Sequence, residues 1–93
     1  MSKEKLQNDI SKLFKLIASI DSPEECSVLF NDLCTKKEIE QMAIRISAAR
    51  MLLDGKTYQQ IIEDTDISSA TLSRVSRCVK YGEGYRKFLN KNY

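Results

Sequence analysis

Thr57-Tyr58-Gln59-Gln60-Ile61-Ile62-Glu63-Asp64-Thr65-Asp66-Ile67-Ser68-Ser69-Ala70-Thr71-Leu72-Ser73-Arg74 is the stretch that decides how this chain is read. Thr57 followed by Gln60 has the form of a capping box that opens a short helix carrying Ile61 and Ile62. The apolar pattern stops at Asp64 to Asp66, and Ser68 or Ser69 then supplies a second cap for a helix bearing Leu72, Val75 and Val79, closed by Gly82. A short helix, a three- or four-residue turn and a second capped helix make a helix-turn-helix. Ile61, Ile67, Leu72 and Val75 can all face inward, so the remaining side chains are the ones left to meet a partner.

At the start of the second helix those side chains are Ser68, Ser69, Ala70, Thr71 and Ser73, small enough to reach the floor of a DNA major groove. Their hydroxyls can donate to or accept from base edges, and Ala70 or the Thr71 methyl can touch a thymine methyl. From Ser68 to Gly82 the charged residues are Arg74, Arg77 and Lys80, all cationic and clear of Glu63, Asp64 and Asp66. This local charge suits phosphate contact, with Ser69, Ala70, Thr71 and Ser73 at the bases. The plainer alternative is a helical hairpin with a serine cap and a solvated basic face. Ile62 stands where such motifs carry a small residue, and Asp66 where they carry glycine, although aspartate tolerates a left-handed turn better than most residues.

Working outward, Leu6, Ile10, Leu13, Phe14, Ile17 and Ile20 recur at three- and four-residue steps and predict a first amphipathic helix. Ser22-Pro23-Glu24-Glu25 is a helix start, and the helix that follows is expected to bury Cys26, Leu29, Phe30 and Leu33. Thr35 with Glu38 opens a third, long helix with Ile39, Met42, Ala43, Ile46 and Leu53 on its stripe, and Gly55 ends it. A last short helix from Gly84 onward is expected to turn Tyr85, Phe88 and Leu89 inward. Tyr58, Tyr81 and Tyr85 read as amphipathic packing near helix ends rather than as base-stacking groups. The fold class is therefore all-α, with five to six helices in one domain over residues 1–93: N-terminal helices in 1–33, a central helix in 35–54, the helix-turn-helix in 57–82 and a C-terminal helix or tail in 84–93.

Composition narrows the function further. The net charge is +2, too small to argue for nucleic acid by itself, so the placement of charge has to carry that reading. With no histidine and three cysteines, Cys26, Cys34 and Cys78, that lack CxxC spacing, a metal site is not expected. The missing histidine also removes the commonest general base, and no Gly-rich loop or nucleophile elbow is present, so the chain is not read as an enzyme. No apolar run is long enough to span a bilayer, and residues 1–9 are charged where a signal peptide is apolar, which points to the cytoplasm and reduced thiols. A chain of 93 residues buries only about 60–65 % of its surface on folding, so a partner subunit is expected to help.

From Leu33 to Gly82 the sequence resembles the bacterial tryptophan repressor superfamily, and more closely its branch of repressor-related proteins of the YerC/YecD type. The resemblance is carried by Leu33-Cys34-Thr35, Arg45, Met51-Leu52-Leu53-Asp54-Gly55, Ala70-Thr71-Leu72-Ser73-Arg74 and Arg77-Cys78-Val79-Lys80-Tyr81-Gly82. It implies an intertwined homodimer whose recognition helices lie about one DNA turn apart. It further implies Gln59 and Gln60 near the sugar-phosphate backbone of double-stranded DNA, and Ser69, Ala70 and Ser73 near bases. In the repressor, an amino-acid corepressor, L-tryptophan, sits between two arginines at the positions of Arg45 and Arg74, with Thr35 matching a pocket threonine and Cys78 a pocket serine. This chain has Val75 where a glycine lines the indole site, an added isopropyl group that opposes tryptophan by about 1–3 kcal/mol. The expected activity is a transcriptional regulator, a repressor, binding a palindromic operator as a dimer. The competing classes are a helical protein-interaction module and a small-molecule sensor without DNA binding.

Overall fold

The computed structural model describes residues 2–89. Among them, six α-helices follow one another: α1 (Lys3–Ala18), α2 (Pro23–Leu33), α3 (Lys36–Leu53), α4 (Tyr58–Thr65), α5 (Ser69–Tyr81) and α6 (Gly84–Leu89). The chain forms two compact units, one ending at Lys36 and the other beginning at Lys37.

Serine and proline set the helix starts of the first unit. Ser2 accepts the Lys5 amide N–H at 3.2 Å and Ser22 the Glu25 amide N–H at 3.1 Å, with Pro23 in the first turn of α2 where no amide donor is needed. Neither α1 nor α2 contains a buried residue. Phe14 is 63 % exposed, Val28 69 % and Leu33 50 %, so the burial expected for Leu33 is not met within the unit, and Cys26, Leu29 and Phe30 are only half-buried. The reason is geometric: each helix has an apolar stripe, but two helices with a short turn cannot enclose both stripes. Between them lies an open groove of about 490 Å³ lined by Leu16, Ile20, Val28 and Leu29.

The second unit has a closed core. Ala48 and Ala49 of α3, Ile61 of α4, Ile67 of the turn, Leu72, Val75 and Val79 of α5, and Leu89 of α6 form one buried cluster, with Ile44, Ile46, Met51, Leu52, Leu53 and Tyr85 packed on it. The stripe read for α3 is shifted: Ala43 is exposed, and the fully buried positions are Ala48 and Ala49. Side chains of one carbon let neighbouring elements come close, a role that apolar periodicity does not reveal. Gly55 ends α3 at φ +85°, where the Lys56 and Gly55 amides donate to the Met51 and Leu52 carbonyls at 3.0 Å each, a left-handed helix stop that favours glycine.

The return of α6 onto α5 is fixed by Arg86, whose Nε donates to the Val79 carbonyl at 2.6 Å, and by buried Leu89. Gly82 at the turn is required by space: a Cβ there would sit 2.7 Å from the Cys78 carbonyl oxygen. Phe88, expected inward, is 72 % exposed, because a helix of six residues offers its short inward face to Tyr85 and Leu89 only.

Candidate nucleic-acid interface

The site is built by the caps of α4 and α5. Thr57 and Gln60 form a complete capping box: the Gln60 amide donates to Thr57 Oγ1 at 3.2 Å, and the Thr57 amide donates to Gln60 Oε1 at 2.9 Å. Gln60 is therefore partly committed, through its side-chain oxygen, to holding α4. Gln59 is exposed and donates to Glu63 Oε1 at 3.2 Å, which places an acid beside it on the same helix face.

The turn between α4 and α5 rests on a residue the sequence reading did not single out. Thr65 Oγ1 donates back to the Ile61 carbonyl at 2.7 Å and accepts the Ile67 amide at 3.3 Å, bridging the end of α4 to the residue that anchors the turn in the core. Threonine is known to bond its own backbone locally, so the signal was its position one residue before Asp66. Asp66 takes the left-handed conformation at φ 59°, as its place in the turn suggested, with its amide donating to the Ile62 carbonyl at 3.2 Å. Ile62, in the place of a small residue, is accommodated by lying at the surface, 37 % exposed.

Ser68 caps α5 by accepting the Thr71 amide at 3.1 Å, and its hydroxyl pairs with the Thr71 hydroxyl at 2.9 Å. Thr71 is half-buried and not fully outward as expected, so the pair acts at the helix start as one unit with a single spare O–H. Ser69, Ala70, Ser73, Arg74, Arg77 and Lys80 are all exposed. At 100° per residue they occupy a sector of roughly 140°. Leu72, Val75, Ser76 and Val79 fill the buried side. The exposed sector of α5 contains three cations and no acid, and it begins with small side chains. Tyr81 ends the sector and is 84 % exposed, which overturns its reading as a packed aromatic within the chain.

The residues matched to the corepressor pocket fall in both units. Thr35 belongs to the first unit, and Arg45, Arg74 and Cys78 to the second. Arg45 on α3 and Arg74 on α5 are exposed, while Cys78 is half-buried and lines an apolar groove of about 470 Å³ with Ile46, Gly82, Tyr85, Phe88 and Leu89. Val75 is 1 % exposed and occupies the core, so its isopropyl group is part of the packing of α5. Among the described residues no cluster of histidine, cysteine, aspartate or glutamate could hold a metal ion, and no helix is long and apolar enough to cross a membrane.

A helix-turn-helix carried on an all-helical chain with paired N-terminal helices defines a class, and the comparisons with known proteins name it. The profile of the family described as Trp repressor protein matches residues 8–93, and the chain belongs to that family. It is 44 % identical over 84 residues to YerC of Bacillus subtilis (strain 168), a protein described as uncharacterized, covering 89 % of this chain and 81 % of that protein. A crystal structure from Staphylococcus aureus, provisionally assigned as a Trp repressor, superposes with a TM-score of 0.87 at 37 % identity, covering 97 % of this chain and 92 % of that one. A TrpR-like protein of Eubacterium eligens ATCC 27750 gives the same TM-score of 0.87 and identity of 37 %, covering 95 % and 93 %.

Proposed function

We propose that this protein is a sequence-specific DNA-binding transcriptional regulator, a repressor, acting as a homodimer on a palindromic operator. The observation that carries the reading is the exposed face of α5, whose small N-terminal side chains are followed by Arg74, Arg77 and Lys80 without an intervening acid. Arg74, Arg77 and Lys80 contact phosphates, Ser69, Ala70 and Ser73 approach base edges, and the Ser68–Thr71 hydroxyl pair offers one donor at the entry of the groove. Gln59 and Gln60 lie toward the sugar-phosphate backbone. Membership of the Trp repressor family supports a regulator rather than an enzyme.

The dimer is supported by the first unit, where α1 and α2 bury nothing and leave Leu6, Phe14, Leu16, Val28 and Leu33 half or more exposed. Isolated helices of 11 and 16 residues are marginal in water without tertiary packing, so a second copy is the natural cover. The site of action is the cytoplasm. The effector, an amino-acid-like molecule drawn to Arg45 and Arg74, is expected to differ from tryptophan, because Val75 stands where the family's indole site has a glycine and its side chain is held in the core.

The test is selection of genomic DNA fragments by the purified protein, then titration of the best fragment at several salt concentrations with and without tryptophan. A palindromic site with half-sites about one helical turn apart and a steep salt slope is expected, with tryptophan without effect. Enrichment of no fragment, or weak salt-insensitive binding, would remove the DNA-binding reading. A shift of the titration by tryptophan would restore the pocket.

A further inference from the structure

Tyr81 is the large apolar or aromatic side chain with the greatest exposure among those described, at 84 %, and it stands on the same side of α5 as Arg77, four residues earlier. The exposed sector of α5 that it shares also carries Arg74, Arg77 and Lys80. An aromatic ring left in water on an otherwise basic face costs solvation, so it calls for a partner that suits both a ring and a ring of cations.

Helix geometry says what that partner presents. At 1.5 Å per residue, Tyr81 lies roughly 17 Å along the axis from Ala70. The major groove is only about 12 Å wide, so in a docking where α5 crosses the groove with Ala70 and Ser73 over base edges, its last turn passes beyond the groove to the sugar-phosphate wall. We infer that Tyr81 is a DNA-backbone contact, with its phenol donating to a phosphate oxygen and its ring lying on the adjacent deoxyribose. Tyrosine is among the side chains that make such contacts, and they position a protein without reading sequence. The inference rests on the DNA-binding reading above and extends it by one phosphate beyond Lys80, through a group that carries no charge.

That lack of charge provides the test. Binding of wild type, Tyr81→Phe, Tyr81→Ala and Arg77→Ala is measured on the selected fragment and on a random-sequence duplex long enough to span two half-sites, at several salt concentrations, with self-association followed by sedimentation. Tyr81→Phe, which keeps the ring at an exposed position, is expected to weaken binding about tenfold on both duplexes, the loss of one hydrogen bond to a charged oxygen. Its salt slope should match wild type because no cation is removed, and Tyr81→Ala should lose more. Arg77→Ala is expected to flatten the slope by about one.

Equal binding by Tyr81→Phe and wild type overturns the inference, and with Arg77→Ala still impaired the DNA-binding reading survives it. Weakening on the selected fragment alone would make Tyr81 a base contact and overturn it too. A shift in self-association would place the ring between protomers instead. If wild type binds neither duplex, the reading and the inference fall together.

Discussion

Both units carry apolar positions on every helix and treat them in opposite ways. In residues 37–89 the stripes of α3, α4, α5 and α6 converge, and Ile61, Leu72 and Val75 are fully enclosed. In α1 and α2 the stripes are as regular, yet no residue is buried and Phe14 is 63 % exposed. The lesson is that amphipathic periodicity states that a face must be covered, not by what. Four helices at short connections can cover one another, and two cannot. The exposed basic face of α5 belongs to the unit that closes by itself, and the uncovered stripes of α1 and α2 belong to the other.

That contrast can be broken most severely at α1. Phe14→Asp is expected to abolish dimerisation at micromolar concentration: losing about 1.5–3 kcal/mol of ring burial, counted twice across a two-fold interface, raises the dimer dissociation constant by two to four decades. Sedimentation reads this directly, and an unchanged monomer–dimer profile would show that α1 is not the interface. Leu72→Ala should instead destabilise the second unit by about 2–5 kcal/mol in denaturant melts while leaving isolated self-association constants little altered. A loss under 1 kcal/mol would mean that the core around α5 is looser than its zero exposure implies.

Smaller effects sharpen the picture at the motif itself. Ser68→Ala removes the cap that receives the Thr71 amide and should cost about 1 kcal/mol of stability, with loss of DNA affinity on all sequences as the start of α5 frays. Unaltered melting would show that the cap is dispensable. Asp66→Gly is the smallest change and the only one of favourable sign. It relieves the left-handed φ of 59° and should raise stability by up to about 1 kcal/mol. A decrease would mean that the aspartate carboxylate makes a contribution beyond its conformation.

Much of this was legible in the sequence because the signals are local. Caps at Ser22, Thr57 and Ser68, the glycine stop at Gly55 and the left-handed Asp66 depend on a few neighbouring residues, and each is found as read. The acid-free run from Ser68 to Gly82 is likewise a property of sequence order, and α5 turns it into a face. The family could be read from ordered motifs as well, and the match over residues 8–93 bears it out.

What tertiary structure alone decided is which of several equivalent positions is enclosed. Ala48 and Ala49 are at the centre of the core because small side chains allow close approach, whereas the larger residues of α3 remain partly exposed. Phe88 and Tyr81 look as apolar as Leu89 and Val79 in sequence, yet the first pair lies at the surface and the second pair inside. Thr65 became the tie between two helices only once Ile61 and Ile67 were placed. The sequence by itself determined the helices, their ends and the charge of the exposed face of α5, since these follow from neighbours within about one turn. Burial is a cooperative property of elements distant in the chain, so the choice between core and surface side chains was settled only by their packing.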